Sequence, residues 1–123
     1  MQLTDFLWFH ARWFYVAVIS CGVVGLWGFV AGVMRRPLSR PFSIARALAI
    51  GAMLIQVAVG AFMYSRGLRA GNAFHVFYGV VIASTFALAY VYRAQLDRRP
   101  MLAYGLLLLF VMGLGIRAWT NVT

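Results

Sequence analysis

His10 and His75 are the side chains in this sequence best suited to chemistry. An imidazole can ligate a metal, carry a proton or hold a partner through hydrogen bonds. The rest of the repertoire is thin. The chain has two Asp, Asp5 and Asp97, and neither Glu nor Lys. It has no paired carboxylates, no Ser-His-Asp set, no H-E-x-x-H pair and no glycine-rich phosphate loop after a strand. Zinc needs more N, S or O ligands than two histidines supply. The one cysteine, Cys21, sits inside an apolar run and cannot pair within the chain. It reads as a small apolar residue, since nothing nearby would lower its pKa.

The elements that must position the histidines are apolar. Of 123 residues, 64% are hydrophobic and 11% charged, with a mean hydropathy of +0.87. A soluble domain carries roughly a quarter charged residues, and rarely leaves large apolar patches in water. Residues 13–34 hold no charge at all, and 22 residues of helix span a hydrocarbon core of ~30 Å. Further apolar runs follow at 44–65, 73–92 and 101–116. Arg35, Arg36, Pro37 and Pro41 end the first run, a Gly/Arg-rich turn at 65–72 the second, and Arg93 to Pro100 the third. The fold class expected is all-α, an integral membrane antiparallel bundle of four helices. They fall at about 5–34, 44–65, 73–92 and 101–118 in one domain of residues 1–123. Connections of ~7 to 10 residues make sequential helices antiparallel neighbours.

The net charge of +9 comes from eleven arginines placed at the ends of the apolar runs. That pattern suits snorkelling and lipid headgroups, and excludes nucleic acid, which needs a basic face on a folded module. Seven arginines flank the connections after helices 1 and 3, and four lie at the opposite surface. The positive-inside rule then makes the first set cytoplasmic and puts both termini on the outer face of the cell's inner (plasma) membrane. Asp5 and the missing positive n-region speak against a cleaved signal peptide.

Helix 1 carries Gly22, Gly25, Gly28 and Gly32 on one face, which reads as a close-packing seam, or alternatively as a groove for a flat cofactor. Gln56, mid-way along helix 2, calls for an interhelical hydrogen bond. Ser84 and Thr85 can bond carbonyls of their own helix. Aromatic residues gather at 8–15, at Phe74, Phe77 and Tyr78, and at Trp119. Alternating helices bring all three groups to one surface, as an aromatic belt.

Both histidines stand early in their helices, and helices 1 and 3 run the same way, so both imidazoles reach one surface. Counting residues, their depths differ by ~5 to 8 Å. Two such histidines are what a six-coordinate b-type haem asks of a protein. Gly79, one turn after His75, leaves space beside that ligand. Arg12, Arg66, Arg69 and Arg117 map to the same surface, where a guanidinium pairs well with a propionate carboxylate. The competing reading needs no cofactor: histidine and arginine are both at home at a membrane interface. Position 14, one turn after His10, is Phe rather than a small residue. No acidic or lysine side chain lies inside an apolar run, which argues against an ion pump or coupled transporter.

The segments LIQVAVGAFMYSRGL and NAFHVFYGVVIA, within residues 49–92, resemble one four-helix half of haem A synthase-like membrane proteins. Gln56 and Gly60 match that family's Q-x-x-x-G element, and His75 its histidine early in the next helix. The resemblance implies that His75 is a haem ligand. The chain departs from the pattern at Val76, usually Arg or Gln, in having no histidine in helix 4, and in lacking the family's catalytic glutamate. The family's reaction is therefore not implied, and His10 would have to serve as second ligand.

Two functions follow as expectations. One is a small, non-catalytic subunit of a respiratory or photosynthetic electron-transfer complex, holding one haem b through His10 and His75. The other is a cofactor-free accessory subunit that packs against lipid and larger membrane proteins.

Overall fold

In a computed structural model the chain is described from residue 2 to residue 122. It is all-helical: α1 (Leu3–Val33), α2 (Arg40–Ser65), α3 (Ala73–Val91), the single turn α4 (Arg93–Leu96) and α5 (Pro100–Thr120). Four of these, α1, α2, α3 and α5, are long and apolar enough to cross a membrane. α4 folds part of the arginine-rich stretch that the sequence reads as plain connection.

The helix ends follow local chemistry. At the start of α1 the Gln2 amide donates to Asp5 at 3.0 Å, half of a capping box. Ser39 caps α2, accepting from the Phe42 amide at 3.3 Å, and Asn72 caps α3, accepting from Phe74 at 2.9 Å. Both are residue types that satisfy orphan amides at an N-terminus. Pro41 does not belong to the end of α1, as the sequence suggests, but to the first turn of α2. Proline costs nothing there, because its missing amide proton would have no helical partner. Pro100 opens α5 in the same way.

α1 and α2 close alike at their C-termini. The amides of Arg35 and Arg36 return to Gly32 and Ala31, and those of Gly67 and Leu68 to Tyr64 and Met63. This Schellman closure needs one residue in the left-handed region. In α2 that residue is Gly67, at φ 93°, but in α1 it is Arg35, at φ 56°. A Cβ in that region costs roughly 1–2 kcal/mol.

α1 is the hub. It packs along α5 and α2, α5 also packs on α3, and α2 touches α3 only slightly. Sequential helices are thus not equal neighbours, because the strongest contact joins α1 to α5. The glycine face of α1 makes it. A Cβ at Gly28 would stand 2.7 Å from the Met101 carbonyl, and one at Gly32 2.5 Å from the Leu102 amide. From the other side, a Cβ at Gly105 would stand 2.6 Å from the Gly28 carbonyl carbon and 2.9 Å from the Gly25 oxygen. The two backbones touch, so the face is a packing seam and not a cofactor groove. Partner numbers fall along α5 as they rise along α1, so the two run antiparallel. α1 and α2 are tied by three side chains: the Trp13 indole donates to Ala52 at 2.8 Å, Cys21 to Ala49 at 3.7 Å, and Gln56 to the His10 carbonyl at 2.9 Å. Ala17, Cys21, Phe42, Ala49, Leu108 and Val111 are completely buried in the core.

Gly105→Ala should cost about 3 kcal/mol or more, the upper end for overpacking, because the atoms it meets are backbone and cannot turn aside. Gly113→Ala, where a Cβ meets nothing within 4 Å, should be neutral or stabilising by up to ~1 kcal/mol. Loss of helix content on titrating the micelle-bound protein with a denaturing detergent measures both. Equal effects would contradict the seam.

Candidate functional site

The site lies where the start of α1 meets the other three long helices. α3 and α5 run antiparallel. Asn72 donates to Asn121 at 3.3 Å, His75 bonds Ala118 at 2.7 Å, and Arg117 lies 5.7 Å from the Tyr78 ring. With α5 antiparallel to both, α1 and α3 point the same way. His10 and His75 therefore reach the same end of the molecule.

There they meet. The imidazole centroids are 6.1 Å apart, with the ring planes 81° from each other. Both side chains are half-buried. The depth difference expected from counting residues does not keep the rings apart. His75 is held by its Nδ1, 2.7 Å from the Ala118 carbonyl oxygen. A carbonyl only accepts, so Nδ1 carries the hydrogen and donates it. In the neutral ring Nε2 is then the free lone pair. Ala118 is in the last turn of α5, and its carbonyl, which also accepts from the Asn121 amide at 3.2 Å, has a second lone pair for the imidazole.

His10 is held differently. Its backbone carbonyl accepts from Gln56 Nε2, and its ring rests on Gly60, where a Cβ would stand 3.0 Å from Cε1. Gln56 and Gly60 are one turn apart on α2, so the small residue that helix 1 lacks after His10 is supplied by a facing helix. Nothing in the spacing of α1 could have revealed it. The signal was the Q-x-x-x-G element, which marks a polar anchor and a gap on one helix face. Two polar atoms here are enclosed without a hydrogen-bond partner, His10 Nδ1 and Gln56 Oε1. Buried polar atoms are nearly always paired, so this is the most demanding polar spot in the described residues.

Cβ atoms at Gly79 on α3 and Gly113 on α5 would meet nothing within 4 Å. The four arginines of this surface do not line up on the histidine rings. Arg12 lies 4.5 Å from the Trp8 ring, Arg66 6.0 Å from Phe62, and Arg69 3.7 Å from Tyr64, whose carbonyl it also bonds. Each is exposed and rests on an aromatic ring by cation–π attraction. Phe14 stacks on Trp119 at 5.6 Å, so the aromatic groups of α1 and α5 share one end of the molecule.

Replacing Gln56 by Leu should loosen the start of α1 from α2. A lost interhelical hydrogen bond in an apolar setting costs about 0.6–1.7 kcal/mol. Thermal unfolding of the detergent-solubilised protein, followed by helical circular dichroism, reads this loss. An unchanged midpoint would show that the bond contributes nothing.

No family model matches the chain, and no curated protein or solved structure matches it either.

Proposed function

We propose that the chain is a multi-pass protein of the cell's inner membrane, an antiparallel bundle of four spanning helices, and that it binds one b-type haem between His10 and His75. It then serves as a small electron-transfer subunit within a larger membrane complex. The observation that carries the reading is the pair of neighbouring imidazoles, nearly perpendicular to each other. An imidazole nitrogen binds a first-row metal at about 2 Å. Two such bonds end to end, with the ring radii added, span about 6 Å, close to the 6.1 Å between the centroids.

The donor set points the same way. Among the described residues no three His, Cys, Asp or Glu side chains gather. Two imidazoles alone suit a metal that arrives with its own equatorial nitrogens. The bond from His75 Nδ1 to Ala118 supports ligation through Nε2, since a ligating histidine usually donates its other ring N–H to a carbonyl or carboxylate. The slight α2–α3 contact and the open side of Gly79, one turn after His75, suit a flat group beside that ring.

When bound, the haem supplies one-electron chemistry. The chain's residues do the rest. His10 and His75 would hold its iron. The Ala118 carbonyl fixes the His75 tautomer and raises its basicity. Gln56 anchors the backbone of His10, and Gly60 lets α2 close against its ring. Arg12, Arg66, Arg69 and Arg117 provide cations for propionates at the outer face. The apolar walls exclude water, one of the levers on a haem potential.

The protein, purified gently from haem-sufficient cells, should give a reduced-minus-oxidised spectrum with a sharp low-spin b-type band and one haem per chain. His10→Ala and His75→Ala should each abolish the six-coordinate signal. Intact, folded protein without haem would sink the proposal and leave the cofactor-free accessory subunit standing.

A further inference from the structure

We propose that the end of the molecule opposite the histidines is a binding site for one anionic phospholipid. Its phosphate would lie among Arg35, Arg36 and Arg98, and one acyl chain along α1. Two adjoining depressions make this site. The first is a groove of about 690 Å³ whose walls include Val23, Leu26, Trp27 and Val30. The second, of about 270 Å³, is lined by Arg35, Arg36, Arg98 and Arg99. Arg36, Pro37 and Met101 border both, so apolar groove and basic pocket are continuous.

That pairing of chemistries selects an amphiphile. From Val23 to Met34 the groove follows α1 for about 16 Å, the depth of one leaflet of a ~30 Å core. The pocket sits where the headgroup of that leaflet would be. Arg99 already donates to the Gly32 carbonyl at 3.0 Å, which anchors one wall of the pocket. The guanidinium groups of Arg35, Arg36 and Arg98 are exposed. Asp97, the one carboxylate of this end, borders neither depression; it lies with Tyr104, Arg46 and Arg93. Basic pockets between helices at the cytoplasmic surface are known headgroup sites. A second helix could cover an apolar groove but would not account for the cationic pocket at its mouth.

Trp27 stands in the groove and reports on it, while Trp8, Trp13 and Trp119 lie at the far end of the molecule. The site rests on the chain being in a membrane and is independent of haem. The full chain is reconstituted in phosphatidylcholine vesicles that hold a small, variable fraction of lipid brominated on the acyl chain. Trp27 emission is taken as the difference between the intact protein and Trp27→Phe. Brominated phosphatidylglycerol should quench at a mole fraction about fivefold lower than brominated phosphatidylcholine, the enrichment expected from one engaged arginine. Arg36→Gln with Arg98→Gln should remove the preference. Arg40→Gln, made together with Arg93→Gln to match that charge change at the same surface outside both depressions, should retain it, and so should the intact chain in added inorganic phosphate. Equal quenching by the two lipids in the intact chain, or loss of the preference with phosphate or with Arg40→Gln and Arg93→Gln together, would overturn the lipid site while leaving membrane insertion in place. No quenching by either lipid would overturn insertion as well.

Discussion

Everything in this molecule hangs on the backbone contact between α1 and α5. Helices approach this closely only where no side chain holds them apart. Gly25, Gly28 and Gly32 on one side and Gly105 on the other remove the side chains that would hold two helices apart. A contact of this kind tolerates no sliding, because each glycine faces backbone that cannot move. It therefore fixes register as well as proximity. With α5 set against α1, the end of α5 arrives at the start of α1. The Ala118 carbonyl and Trp119 come with it. α3 then docks on α5 and carries His75 to the same place.

The second joint, between α1 and α2, works by different physics. It uses three hydrogen bonds from Trp13, Cys21 and Gln56 spread over three turns. All three acceptors are carbonyls already committed within a helix, and a carbonyl has two lone pairs to share. Such bonds orient the helices without requiring glycine. α2 and α3 have neither device between them, and their contact is slight. Any flat group reaching the histidine pair has its easiest path on that side.

Much of the fold was legible because charge is so scarce. Uncharged runs of spanning length locate four helices, and arginines with prolines bound them. What composition hides is what a terminus does. Pro41 looks like a stop and is a start, since proline breaks a helix interior but suits its first turn. Arg35 takes a left-handed position that a reader would reserve for glycine. Helix direction, which residue spacing does give, puts His10 and His75 at one end; their meeting depends on α3 docking on α5, which spacing does not give. Gly60 could not be read as part of the site from α1, because the gap it leaves lies on another helix. The arginines were legible only as to surface. Their aromatic partners are a matter of side-chain reach, which sequence does not encode.

The polar atoms of the interior give a final reason to locate function at the histidine end. Trp13, Cys21 and Thr85, also within the helices, each find a carbonyl. His10 Nδ1 and Gln56 Oε1 do not. An enclosed polar atom without a partner costs about 1–3 kcal/mol, and more where no water is at hand. Phe at position 10 would remove that cost at Nδ1 with an apolar ring of similar size, whereas Gln56 leaves Oε1 unpaired while its Nε2 holds the His10 carbonyl. A sequence otherwise so thoroughly apolar retains the two polar residues, side by side, at the point where four helices converge and a second imidazole waits 6.1 Å away. Local rules of packing break at functional or strained sites, and among the described residues the two unpaired atoms mark such a place.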